Sequence, residues 1–337
     1  MPINKVGIDS YSLRSLECDP FKMLEWVKEN GGSGIQFTEL HLPKKVKLDN
    51  HFLEELKSYS QELDLYLEWG SGFSLPFDFN TNHNKKIYKH NLNIVKQASI
   101  LGSKIVRCSS GGLFRFNKKS IPLDYVISES VKSFNQQLPF LREYNVTLAI
   151  ETHFELTTFE LLKIFQNCDL ETGKELGICL DSLNLLTLME HPIYATNRIL
   201  DWVVATHIKN GFIYLHKLGF NVIPSELNKG VLNLGKIISL LDKSKNLINL
   251  SIEGHGGDFI IPIFSKTNRI KLPDLTKQEF MEILKLTSYC ILNRNKLNKY
   301  ERSESEWGIN CLIEMSSDIS YLIGLVEKLK TKKCHMD

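Results

Sequence analysis

The sequence predicts an α/β protein, a (β/α)8 barrel with extra C-terminal helices packed on the barrel. Three observations predict it. Strand-like and helix-like segments alternate eight times, with Gly or Asn at most breaks, which is the pattern of a parallel sheet with helices outside it. Four apolar runs each end in one side chain fit to bind a metal: Leu148-Ala149-Ile150-Glu151, Ile178-Cys179-Leu180-Asp181, Val203-Val204-Ala205-Thr206-His207 and Leu250-Ser251-Ile252-Glu253. Asp181 follows Glu151 by 30 residues, His207 follows Asp181 by 26 and Glu253 follows His207 by 46. The first two steps fit one strand–loop–helix–loop unit, and the third leaves room for a long loop besides. The length of 337 residues suits a barrel of roughly 250 residues with insertions. A doubly wound open sheet would alternate similarly, but eight units and ligands on four strands favour closure. One domain is expected over residues 1–337, with a barrel core at about 4–258 and a loop and helices over 259–337.

Each element has its own signal. Val6-Gly7-Ile8-Asp9 reads as the first strand, and Asp19-Pro20 opens a helix, with Asp as N-cap and Pro at the first helical position. Gly31-Gly32 stops that helix before the strand Gly34-Ile35-Gln36-Phe37. Residues 51–63 form an amphipathic helix, and residues 63–69 supply strand three, with Glu68 and Trp69 as candidate pocket walls. A long loop rich in Gly, Phe, Pro and Asn follows over residues 70–84, where a barrel carries its substrate-covering loops. Residues 87–101 are helical, 104–108 the fourth strand, 109–112 its loop, and 122–144 a long helix leading into strand five at Val146. Strands to Asp181, His207 and Glu253 alternate with helices around 159–165, up to Trp202 and at 234–241. Residues 211–230 are expected as a loop. Beyond residue 258 a mixed loop leads to helical patterns at 280–293 and 309–329. The second has an apolar stripe of Leu312, Met315, Ile319, Leu322, Ile323 and Val326.

Composition narrows the function. Lys+Arg 41 against Asp+Glu 39 gives a net charge of +2, too balanced to argue for nucleic acid or an acidic membrane surface. Seven scattered cysteines without a CxxC pair argue against a disulfide framework. The N-terminus lacks a signal-peptide core and no run reaches the length of a membrane span, so a cytoplasmic protein is expected. Self-association is open, without a specific signal for it.

Three carboxylates and one imidazole form a hard oxygen–nitrogen donor set. It suits Mn2+, Mg2+ or Co2+, also accommodates Zn2+, and is not a thiolate site. One divalent ion, Mn2+ first among these, is therefore expected on Glu151, Asp181, His207 and Glu253. Other residues at the same end are expected to bind substrate. His153 lies two residues past Glu151 on the same face, and Lys209 shares the face of His207. Arg107 ends strand four, and Asn184 and His255 follow ligands closely. The bland alternatives are a rim histidine for His153 and a barrel-end plug for Arg107. Asp9 is a weaker candidate. Three glycines at 254–257 without a marked helix start do not support a phosphorylated substrate.

The chain resembles the xylose-isomerase-like TIM barrels of the sugar phosphate isomerase/epimerase superfamily. The resemblance rests on Ala149-Ile150-Glu151-Thr152-His153, Cys179-Leu180-Asp181-Ser182-Leu183-Asn184, Thr206-His207-Ile208-Lys209-Asn210 and Ser251-Ile252-Glu253. Gly7-Ile8-Asp9-Ser10-Tyr11-Ser12 and Asn228-Lys229-Gly230-Val231-Leu232-Asn233 are similar to its flanking motifs. The resemblance implies metal binding by Glu151, Asp181, His207 and Glu253, with the two Glu residues flanking the reacting carbon as acid and base. It departs at Asn184, where sugar epimerases and the related nucleases usually place a His, and at Asn210 and Lys229, where acidic residues are usual.

The implied activity is that of a divalent-metal-dependent sugar isomerase or epimerase. Proton abstraction next to a carbonyl gives an enediolate whose oxyanions the metal stabilises. A keto-sugar or keto-inositol dehydratase or lyase would use the same site. An endonuclease-IV-like phosphodiesterase would need further histidines and a basic DNA-binding face, and a non-catalytic sugar-binding barrel would not need intact ligands. The expected partner is a small carbohydrate, with no nucleic acid and no membrane.

Overall fold

Eight strands form one parallel sheet: β1 (Ile3–Asp9), β2 (Gly34–Thr38), β3 (Tyr66–Phe73), β4 (Ile105–Ser109), β5 (Thr147–Glu151), β6 (Leu176–Asp181), β7 (Val203–His207) and β10 (Ile248–Ile252). Their order is β10-β1-β2-β3-β4-β5-β6-β7, so each strand pairs with its chain neighbour and β1 pairs with the last. This computed structural model describes residues 3–16, 19–39, 42–43, 46–73, 84–109, 114–116, 121–171, 173–265 and 272–334. Most of the expected 70–84 loop and of the 109–112 loop lies outside the described residues, and β3 itself continues to Phe73.

The sheet curls into a nearly closed (β/α)8 TIM barrel. At the β7–β10 seam the Ile208 N–H donates to the Ser251 carbonyl at 2.7 Å. Thr206 bridges the rest with its side chain. Its hydroxyl donates to the Asn249 carbonyl at 3.0 Å and accepts from the Ser251 N–H at 3.1 Å. A β-branched hydroxyl thus stands in for ladder bonds that the backbone does not make. Inside the barrel the absence of side chains at Gly7 and Gly34 makes room for Tyr66. A Cβ on Gly7 would lie 2.3 Å from the Tyr66 hydroxyl, and one on Gly34 would lie 2.2 Å from its ring. The Tyr66 hydroxyl reaches Ser251 at 3.1 Å across the barrel.

The helices start where the residue chemistry allows. Asp19 caps α1 (Pro20–Glu29) by accepting the Phe21 N–H at 2.8 Å, and Gly31 leaves the helix at φ +78°. Thr157 and Glu160 form a capping box on α5 (Thr158–Gln166), joining two otherwise unpaired helix-end amides to side chains. α2 (Asn50–Glu62), α3 (Asn84–Leu101), α4 (Leu123–Tyr144), α6 (Pro192–Ile199) and α7 (Leu234–Leu241) continue the outer ring.

Two expectations are corrected. Residues 211–230 are not simply a loop: β8 (Asn210–His216) and β9 (Gly219–Ser225) form an antiparallel hairpin, and β11 (Phe259–Ile261) adds a third strand to it. The runs Phe212–Leu215 and Phe220–Ile223, rich in aromatic and β-branched apolar residues, carry this signal. Its turn, Lys217-Leu218, lacks the usual Asn-Gly or Asp-Gly pair, and Pro224 disfavours a strand. Secondly, α10 (Glu304–Cys334) is, among the described residues, one helix long and apolar enough by length and composition to cross a membrane. It takes the eighth-helix position against β1, β10 and α7, burying Cys311, Met315, Ile319, Leu322 and Val326. Between them, α8 (Lys277–Leu292) and the short α9 (Arg294–Leu297) cover the outside, with α8 on β8 and its Glu279 paired to Arg198 of α6.

Candidate metal centre

The carboxyl ends of β5, β6, β7 and β10 bring Glu151, Asp181, His207 and Glu253 together. Asp181 pairs in register with His207 across β6 and β7, and Glu253 stands one residue past β10, its N–H turned to the Ile208 carbonyl. All four side chains are buried, and one ligand atom from each lies within 4.8 Å of the others. Six ligands around an ion at ~2.1 Å stand ~3 to ~4.2 Å apart, so the cluster needs to close by only about half an ångström. The donor chemistry and the spacing both fit one divalent cation.

The imidazole is held from both sides. His207 Nδ1 lies 3.2 Å from Glu151 and 3.6 Å from Glu253, while Nε2 lies 2.6 Å from Gln36 Oε1. A metal ligand with its other nitrogen fixed by a carbonyl oxygen has its ring orientation set before the metal arrives. Gln36 is fixed in turn: its amide donates to Glu68 at 2.8 Å, and Asn249 donates to the other Glu68 oxygen at 2.8 Å. Burial pushes the Glu68 carboxyl upward against these donors. Asp9 also faces this layer, 3.5 Å from His207 Nε2, with its Oδ2 buried and, among the described residues, without a hydrogen bond.

Cations neutralise the carboxylates. Lys209 Nζ lies 2.8 Å from Asp181 Oδ2 and also pairs with Glu253, and Arg107 lies 3.4 Å from Glu151. Asp181 Oδ1 accepts the N–H groups of Leu183 and Asn184 at 2.9 and 2.8 Å. Burial alone would raise the Glu151 carboxyl, but His207 and Arg107 outweigh it and hold it at about 2. Burial is likewise overcome at Glu253, where Lys209 and His207 keep the carboxyl well below its usual range. Burial would lower His207, yet Glu253 and Glu151 push it up to about 10. Both Glu residues are therefore anionic at neutral pH.

A cavity of about 340 Å3 opens above the cluster. Every residue expected to touch substrate lines it: Arg107, His153, Asn184, Lys209 and His255. His153 is no free rim residue, because the strand ends at Glu151 and the chain turns so that His153 Nδ1 meets both oxygens of buried Glu155 at 3.0 Å. Asn184 donates to Glu151 at 3.4 Å, so this amide touches the ligand set itself. His255 is pushed down to about 4 by burial and by Lys209, and is neutral. Glu68 and Trp69 do not line this cavity: Glu68 lies in the layer below, and Trp69 is buried with its indole N–H on Gln97 at 3.3 Å.

A family model for the xylose isomerase-like TIM barrel matches residues 24–279. The chain belongs to that family. A 3-oxo-isoapionate decarboxylase of Pectobacterium atrosepticum is 28% identical over 119 residues, which are 34% of this chain and 42% of the relative; the match thus spans less than half of that protein. Among solved structures, a D-psicose 3-epimerase superposes with a TM-score of 0.59 at 13% identity, covering 87% of this chain and 99% of that one. A xylose isomerase-like TIM barrel protein from Mycobacterium smegmatis, in complex with magnesium, gives a TM-score of 0.59 at 15% identity, covering 85% and 97%. At such identities the likeness carries the fold.

Within this xylose isomerase-like barrel, sequence reading missed Gln36, Asn249, Tyr11 and Phe154. Gln36 was detectable as a lone polar residue in an apolar strand, but its partner Glu68 emerges only from the register that sets Gln36 beside it. Tyr11 walls the cavity from a 3-10 helix (Ser10–Leu16) and Phe154 from the loop after β5, and no periodicity fixes the course of either.

Proposed function

We propose that this chain is a divalent-metal-dependent enzyme of the sugar isomerase or epimerase type, with Glu151 and Glu253 as its acid and base. The observation that carries the reading is the convergence of three carboxylates and one imidazole beneath a cavity lined by Arg107 and Lys209. A cation held by Glu151, Asp181, His207 and Glu253, Mn2+ first among hard divalent ions, would act as a Lewis acid on the oxygens beside the reacting carbon. Glu253 and Glu151, both kept anionic by their neighbours, are each able to accept a carbon-bound proton next to a carbonyl, and the other carboxyl returns it. Arg107 and Lys209 anchor substrate oxygens while holding those carboxylates in place. His153, fixed by Glu155, and the Asn184 amide complete the polar wall.

A lyase reading has one observation of its own, the partial match to a decarboxylase. A carbanion formed in this site expels a leaving group on the neighbouring carbon, and loss of a carboxylate as carbon dioxide places the same electron pair on the same carbon. Exchange of carbon-bound hydrogen with deuterated water, followed by NMR over keto-sugars and keto-inositols with added Mn2+, tests the first reading. Wild type washes deuterium into one position, and Glu253→Gln lowers that rate by about 10²–10⁴-fold. Full exchange in Glu253→Gln would remove this residue from the pair; carbon dioxide or water release without exchange would favour the lyase.

A further inference from the structure

The cavity above the metal centre is not the whole recess. A second cavity of about 320 Å3 adjoins it, and Tyr11, Phe154, Asn184 and His255 line both. Each volume alone reaches the lower end of the ~300–1,000 Å3 of small-molecule sites, so together they exceed what one sugar ring fills. The far walls belong to the three-stranded sheet and to the turn after β6: Val222 and Pro224 of β9, Phe259 of β11, Leu183 and Thr187. The hairpin that departs from a plain barrel loop thus builds this second chamber.

Its chemistry is selective. Leu183, Val222 and Phe259 offer apolar surface, with Asp258 and Glu304 at the rim. The adjoining glycine turn does not offer its amides to an anion. The Gly254 N–H donates to Ser12 Oγ at 2.8 Å, the Gly256 N–H to Glu304 at 3.0 Å and the Gly257 N–H to the Arg302 carbonyl at 2.8 Å. A phosphate there would meet spent donors, the Asp258 carboxylate and an Arg14 guanidinium already paired with Glu304. An uncharged ring would lay its C–H face on the apolar wall and turn hydroxyls to the carboxylates.

Resting on the reading of the site as one that acts next to a carbonyl, we propose that the substrate is an unphosphorylated keto-glycoside. Its keto-sugar ring sits over the metal cluster, and its second, uncharged ring lies in the chamber under the three-stranded sheet. The test measures kcat/KM for deuterium exchange, with Mn2+ present, on matched pairs: fructose against turanose, and 3-keto-glucose against its phenyl glycoside and its 6-phosphate. The proposal expects at least one pair in which the glycoside exceeds the free keto-sugar by about tenfold or more, the scale that filling an apolar pocket supplies. Val222→Phe, which fills only the second chamber, should erase that preference and leave exchange of the free sugar unchanged. Should Val222→Phe fail to fold, the smaller Val222→Leu carries the same comparison. Equal rates on free sugar and glycoside, or faster exchange on the phosphate, would overturn this inference and leave the proton-abstraction reading standing. A glycoside preference that survives both variants would do the same. No exchange on any member of the panel would overturn the proton-abstraction reading and this one with it.

Discussion

His207 shows how a single candidate ligand is held in place. Its Nδ1 faces two carboxylates, and its Nε2 meets Gln36, which leans on Glu68 and Asn249. Removing Gln36 leaves the ring free to turn and Glu68 without one of its donors. Gln36→Leu is therefore expected to weaken Mn2+ binding by about 10–100-fold, read by titration calorimetry, while leaving the far-UV circular dichroism unchanged. The convergence of the four candidate ligands was legible in the sequence because each ends an apolar run, and a strand that enters a barrel from below delivers its last inward residue to the rim. The layer beneath them was not. Gln36 and Glu68 each look like an isolated polar residue in an apolar strand, and only the pairing of β2 with β3 makes them neighbours. His153 illustrates the same limit: sequence puts it on the face of Glu151, while its fixation by Glu155 depends on where the strand ends.

At the scale of elements, the strands and helices of the ring were legible because burial on both faces of a parallel strand and on one face of a helix leaves different periods. The β8–β9 hairpin was obscured by its atypical turn and by Pro224. The link between α10 and the segment after this hairpin yields a test. Asp318 of α10 accepts the Leu227 N–H at 2.9 Å, and burial, joined by Glu226 and Glu314 against that hydrogen bond and Arg302, pushes its carboxyl up to about 8. Raised above its unfolded value, this group favours the folded state fully only below the ordinary aspartate range. That contribution is lost as pH rises through about 8. Through this group, wild type should lose thermal stability between about pH 4 and pH 8. Asp318→Asn, which keeps an acceptor for Leu227, should lose less over the same range; equal losses in melting temperature would show that Asp318 is ionised throughout.

For the whole molecule, the candidate ligands sit at the carboxyl ends of β5, β6, β7 and β10, a set that includes both strands of the seam closed by Ile208 and Thr206. A cation bound there ties the seam together and favours the folded barrel by mass action, about 2.7 kcal/mol at a hundredfold excess over its Kd. Mn2+ should raise the unfolding temperature by several degrees, and a chelator should reverse the rise. Glu151→Gln should show little of it, although the barrel itself remains folded.

The central claim is a working metal centre, and metal content tests it most directly. Elemental analysis of the purified wild-type protein, beside Glu151→Gln, should find about one divalent ion per wild-type chain and a marked loss in the variant. No ion in either protein after incubation with Mn2+ would contradict the account. The four strand-end side chains would then be a charged cluster, and a non-catalytic sugar-binding barrel would describe the chain better.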